Sequence, residues 1–122
     1  MTTWNLQGTA CHLLVCGGSS CKKRKSGEIA QAIKKEIEKQ GGEALIHTTF
    51  TSCAGRCGDA PIVISYPEGV WYGDMSPKRV KLLVKKSLVG KRFKKNILYT
   101  FGKDGMKASA KEGMKGKKKG KK

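Results

Sequence analysis

The chain has 122 residues, enough for one domain and a terminal extension. Lys and Arg number 26 against 9 Asp and Glu, and the formal net charge of +17 points to acidic partners or polyanions. No apolar run approaches the about 20 residues that cross a bilayer, and Met1-Thr2-Thr3-Trp4 opens no signal peptide, so a cytoplasmic protein is expected.

Residues 1–9 are polar and read as a flexible lead-in. His12-Leu13-Leu14-Val15-Cys16 is a short apolar run ending at Gly17-Gly18-Ser19-Ser20, the pattern of a buried strand feeding a loop. That loop holds Cys21 and the basic run Lys22-Lys23-Arg24-Lys25. Ser26 is a candidate N-cap, with Glu28 in the first turn, where the helix dipole favours an acid. Ile29, Ile33 and Ile37 then recur at helical spacing, and Gly41-Gly42 stops the helix.

Ala44–Phe50 is rich in β-formers and reads as a second strand. A loop of small residues follows, Ser52-Cys53-Ala54-Gly55-Arg56-Cys57-Gly58-Asp59. Ile62–Tyr66 is a third strand; Pro67-Glu68-Gly69 turns the chain, and Val70-Trp71-Tyr72 returns as a hairpin. Ser76-Pro77 is a helix start, and Val80, Leu83, Val84 and Leu88 give that helix its apolar stripe up to Gly90. Ile97-Leu98-Tyr99 is one more short apolar segment.

From Lys103 onward nine Lys face only Asp104 and Glu112, a local charge of 9 − 2 = +7 with almost nothing to bury. This composition predicts a disordered basic tail over 103–122 and a folded domain over 10–102. Within that domain the order strand, helix, strand, hairpin, helix predicts an α/β fold. A right-handed crossover makes the first two strands parallel, the hairpin adds antiparallel strands, and helices pack on the small mixed sheet.

Five cysteines in a compartment that keeps thiols reduced suggest metal or redox chemistry, and the odd count suits four ligands plus one bystander. Cys16 and Cys21 are separated by four residues, and Cys53 and Cys57 by three. Each pair follows a strand, and parallel strands would bring both loops to one end of the sheet. Four thiolates there could hold a 2Fe–2S cluster, with two sulfurs per iron, or a zinc ion; free or redox thiols are a third reading. Spacing alone leaves these open, although no pair has the two-residue gap of a thioredoxin-type dithiol.

The stretch from His12 to about Leu88 resembles the thioredoxin-like 2Fe–2S ferredoxin family. It is also similar to the cluster-bearing small subunit of NADH dehydrogenases. The resemblance is carried by His12-Leu-Leu-Val-Cys16, Ser20-Cys21, Ser52-Cys53-Ala-Gly-Arg-Cys57 and Ala60-Pro61-Ile-Val-Ile-Ser-Tyr66-Pro67-Glu-Gly69-Val-Trp71-Tyr72-Gly73. It implies a thioredoxin-like fold, one 2Fe–2S cluster on Cys16, Cys21, Cys53 and Cys57, single-electron transfer, and a homodimer. The short stretch before His12 has no counterpart of the helical N-terminal region found in that small subunit, which implies a free-standing carrier.

Cys11 lies an odd five residues before Cys16, hence on the other face of the same strand, and reads as a buried bystander. His12 and His47 are assigned to structure, because four cysteines leave no need for the two histidines of a Rieske centre. Trp71 and Tyr72 read as packing aromatics, and Asp59, Glu68 and Asp74 as isolated turn acids. No nucleophile–base pair or paired carboxylates appear, so no substrate chemistry is expected. Lys22 to Lys25 and Arg56 flank the candidate ligands and predict an acidic redox partner, steered by charge. The alternative is a zinc-stabilised, nucleic-acid-associated protein acting through its tail.

Overall fold

The computed structural model describes residues 3–17, 26–52, 55–56, 59–109 and 114. Six strands and two helices follow in the order β1 (Cys11–Cys16), α1 (Ser26–Lys39), β2 (Ile46–Thr51), β3 (Val63–Tyr66), β4 (Val70–Tyr72), α2 (Pro77–Leu88), β5 (Ile97–Gly102) and β6 (Gly105–Ala108). They build a single sheet in the order β2-β1-β3-β4-β5-β6. As the crossover rule requires, β1 and β2 are parallel, with Cys11 opposite Ile46 and Cys16 opposite Thr51. Every other pairing is antiparallel.

Strand alternation sorts the side chains onto two faces. Leu13, Val15, Val63, Val70 and Tyr72 point to one face and form the main core with Ile29, Ile33 and Ile37 of α1 and Val80, Leu83 and Val84 of α2. A smaller cluster, Cys16, Ala60, Ile62, Ile64 and Leu98, lies on the other face with Leu14, Trp71 and Tyr99 packed on it. No described helix covers that second face.

The helix starts differ in kind. Ser76 caps α2 as its sequence implies: its Oγ accepts from the Arg79 N–H at 3.3 Å, and Pro77 fills the first helical position. Ser26 is instead the first residue of α1 itself, fully buried, and its Oγ has no partner among the described residues. The peptides Ala60–Pro61 and Tyr66–Pro67 are both cis.

The boundary drawn at Lys103 needs correction. A tight turn at Lys103-Asp104 returns the chain as β6, which pairs Phe101 with Met106 and Tyr99 with Ala108. The Ser109 N–H donates to the Leu98 carbonyl at 2.8 Å. Ordered backbone therefore continues through the first residues of the basic stretch. Apart from Met114, residues 110–122 lie outside the described residues.

Candidate metal centre

The site is built where β1 and β2 end side by side. Cys16, the last residue of β1, is buried with 3% of its surface exposed. Its N–H donates to the Ile62 carbonyl at 3.1 Å, which fixes the end of β1 against the segment leading into β3. The Gly17 N–H donates to the Thr51 carbonyl at 2.7 Å. A Cβ on Gly17 would stand 2.7 Å from that same oxygen, so only glycine lets the two chains leave the sheet this close together. Thr51, opposite Cys16, is two residues before Cys53.

Of the four candidate ligands, Cys16 is described; Cys21, Cys53 and Cys57 lie outside the described residues, as do Lys22 to Lys25. The described neighbours fit a group held by these loops. Gly55, between Cys53 and Cys57, has φ of +89°, a turn that a side chain disfavours. The unpartnered buried Ser26 Oγ stands where the first loop meets α1. Thiolates on loops that leave neighbouring strand ends, with small residues beside them in the sequence, would suit an iron–sulfur cluster.

Arg56 and Asp59 are joined beside this loop. The Arg56 Nε donates to Asp59 Oδ2 at 2.7 Å, and the guanidinium carbon lies 5.6 Å from the centre of the Tyr99 ring. Tyr99 in turn meets Trp71 edge to face, with centroids 6.0 Å apart. The Asp59 carbonyl accepts from the Asp74 N–H at 2.7 Å, tying the loop to the start of α2. The three acids read as isolated therefore are not: Asp59 pairs with Arg56, Glu68 with Arg92 at 3.0 Å and Asp74 with Arg79 at 3.7 Å. Only Arg56–Asp59 left a readable trace in the sequence, a spacing of three residues.

Cys11 is on the helix-covered face, its Sγ 3.7 Å from Ser65 Oγ. Burial pushes its thiol above the ordinary range, against hydrogen bonding to Ser65 and Ser87, so it is a poor nucleophile and a poor ligand. His12 and His47 stand opposite each other in the β1–β2 ladder with ring centroids 5.0 Å apart. His12 Nε2 is 2.8 Å from Thr49 Oγ1. Burial, and then the neighbouring His47, hold the His12 pKa below its usual value. Trp71 and Tyr72 divide between the faces. Trp71 stays half-exposed, while the Tyr72 hydroxyl donates to the Phe93 carbonyl at 2.9 Å inside the core.

The model of the thioredoxin-like 2Fe–2S ferredoxins matches residues 3–88. This chain belongs to that family. A protein of Priestia megaterium named as a 2Fe–2S ferredoxin is 40% identical over 106 residues, covering 86% of this chain and 83% of its own length. A 2Fe–2S ferredoxin of Aquifex aeolicus is 40% identical over 74 residues, covering 58% of this chain and 65% of its own length. The structure of a thioredoxin-like 2Fe–2S ferredoxin from Aquifex aeolicus superimposes with a TM-score of 0.69 at 29% identity, over 77% of this chain and 94% of that one. One component of an NADH-quinone oxidoreductase from Rhizobium meliloti is a more distant relative, 28% identical over 74% of this chain but only 34% of its own length. The fold is thus thioredoxin-like, and the cofactor of this ferredoxin is a 2Fe–2S cluster. The comparisons give the zinc and nucleic-acid alternative no support.

Proposed function

We propose that this ferredoxin carries single electrons on a 2Fe–2S cluster held by Cys16, Cys21, Cys53 and Cys57. The observation that carries the assignment is the β1–β2 register: Cys16 sits opposite Thr51, so both candidate loops start from adjacent points at one end of the sheet. When bound, the cluster supplies a site that takes up one electron and returns it. The chain's own residues do the rest. Gly17 and Gly55 permit close backbone approach, Ile62, Ile64 and Leu98 shield Cys16 from water, and Arg56 brings positive charge beside Cys57.

Several finer features belong to the same reading. The partner is an acidic redox protein or oxidoreductase, and the protein acts in the cytoplasm as a homodimer and not as an enzyme in its own right. The Lys-rich residues after β6 make non-specific polyanion contacts. Cys11 cannot stand in for Cys16, because five strand residues, about 16 Å, and the thickness of the sheet separate them.

Protein purified without oxygen should be red-brown, contain iron and acid-labile sulfide in equal amounts, and bleach on dithionite reduction. Replacing each proposed ligand by Ser, one at a time, should abolish the visible spectrum or change it, while Cys11→Ser should leave it intact. Retention of the native spectrum by any of the four variants removes that residue from the ligand set. A colourless protein that copurifies with zinc overturns the reading altogether.

A further inference from the structure

Between Asp74 and Asp104 the sequence holds ten Lys or Arg and no Asp or Glu. The structure gathers most of these on one side of the molecule, along the outer face of α2 and the segment that follows it. Lys78, Lys81 and Lys85 recur at helical spacing and are exposed. Such like-charged neighbours weaken a helix, and among the described residues no ion pair reaches Lys81, Lys85 or Lys86 to offset them. Lys85 and Lys86 gain from the helix dipole in the last turn, and Lys81 lines a groove with Glu28 and Glu36. Among the described residues, however, none of the three has a carboxylate within ion-pair distance, so the stripe is open to carboxylates from outside the chain.

The stripe ends in a groove of about 530 Å³ between the second half of α2 and residues 91–95. Lys86 forms one wall and Lys91, Lys94 and Lys95 the other; Arg92 is partly neutralised by Glu68. The exposed apolar surface of Leu82 also lines the groove, whose floor rests on the buried Phe93. Phe93 is held rigidly, because its carbonyl accepts from the buried Tyr72 hydroxyl and its ring lies 5.7 Å from the tyrosine ring. Cations around an apolar lining suit a segment with carboxylates on either side of an apolar residue. A phosphate backbone would use the lysines and leave Leu82 without a partner.

We infer that this groove is the anchor for an acidic, leucine-bearing segment of the partner protein. The inference rests on the reading that the partner is acidic and adds where it binds. Gly42 packs against Leu88, so the end of α2 lies beside the entry to β2, at the far end of the sheet from Cys16. The twelve residues of α2 span about 18 Å, and Lys85, Lys81 and Lys78 lead from the groove back toward the cluster end. The anchor thus holds the partner by one end and the lysine stripe aligns its acidic face.

The test uses full-length, cluster-loaded protein and a fluorescein-labelled peptide of glutamates around a single leucine, read by anisotropy. The variant K86Q/K91Q/K94Q removes three charges from the groove, and K117Q/K118Q/K119Q removes three from the terminal stretch. The groove variant should weaken binding about tenfold, the scale of three exposed ion pairs, and the other, which loses only non-specific attraction, clearly less. Replacing the peptide's leucine by serine should weaken binding to the native protein and leave the groove variant unaffected. Equal weakening by the two triple variants overturns the inference. So does a single-stranded DNA of equal charge that binds as tightly with the same dependence on the groove lysines. The visible spectrum, followed in parallel, reports separately on the cluster assignment.

Discussion

Arg56 lies between the third and fourth proposed ligands, and its position is set three ways: by the Asp59 carboxylate, by the Tyr99 ring and by chain connectivity to Cys57. Both side chains of the pair are mostly buried, at 17% exposed each, so neither charge is fully screened by water. An electron arriving at the cluster adds negative charge there; Arg56 favours that state and Asp59 opposes it. As a pair they largely cancel. Arg56→Gln should therefore lower the midpoint potential and Asp59→Asn should raise it, each on the order of 50 mV, close to a tenfold change in the reduced-to-oxidised ratio. The double variant should return near the native value. Redox titration of the three variants decides this, and shifts of the same sign in both single variants would show that the pair acts only by shaping the loop. Either single variant should also cost about 1–3 kcal/mol of stability, since each removes one side of a mostly buried, hydrogen-bonded ion pair.

At the scale of elements, β6 decides where the folded domain ends. It covers the edge of β5 and seats Met106 against Phe101, a pairing on the order of 0.2–1 kcal/mol for each cross-strand contact. A chain ending at Ser109 should unfold at the native temperature. A chain ending at Gly102 should lose about 1 kcal/mol, hence about 4–8 °C in a domain of this size, and should aggregate more readily through the bared edge of β5. Equal unfolding temperatures for the two truncations, by circular dichroism, would show that β6 adds nothing. This strand was hard to read in the sequence because its Lys107 and the lysines around it suggest solvation. The usable signal was Asp104-Gly105, a hairpin dipeptide placed after an apolar run. The other elements declared themselves through periodicity: isoleucines every fourth residue in α1, Ser76-Pro77 ahead of α2, and short apolar runs bounded by glycine and proline. The parallel pairing of β1 with β2, and so the side-by-side ends of these two strands, followed from crossover geometry. The Glu68–Arg92 contact did not, because 24 residues of chain separate its ends and only the finished sheet brings them together.

The whole molecule divides its charge unevenly, and that division bears on assembly. None of the strand residues on the helix-free face is Asp, Glu, Lys or Arg, in a chain of net charge +17. That face presents Leu14, Trp71 and Tyr99 half-covered over the buried Ile64, with Tyr66, Phe101 and Met106 exposed around them. Two copies with this charge repel at any surface that carries lysines, over a screening length of about 8 Å at physiological salt. The uncharged face is where they can meet with least repulsion. A standard interface needs about 800 Å² per partner, about a tenth of the 8409 Å² surface, and one face of a six-stranded sheet can supply that. The proposed homodimer and the proposed acidic partner then respond to salt in opposite directions. Raising ionic strength screens the repulsion between copies and should strengthen the dimer, while it weakens the attraction of the lysine stripe for carboxylates. Sedimentation analysis should show the native protein shifting toward dimer as salt rises, and Tyr66→Glu with Phe101→Glu, both at exposed positions of that face, staying monomeric with its visible spectrum retained. A dimer that dissociates with salt would place the contact at an ion-paired surface and remove the sheet face from the interface.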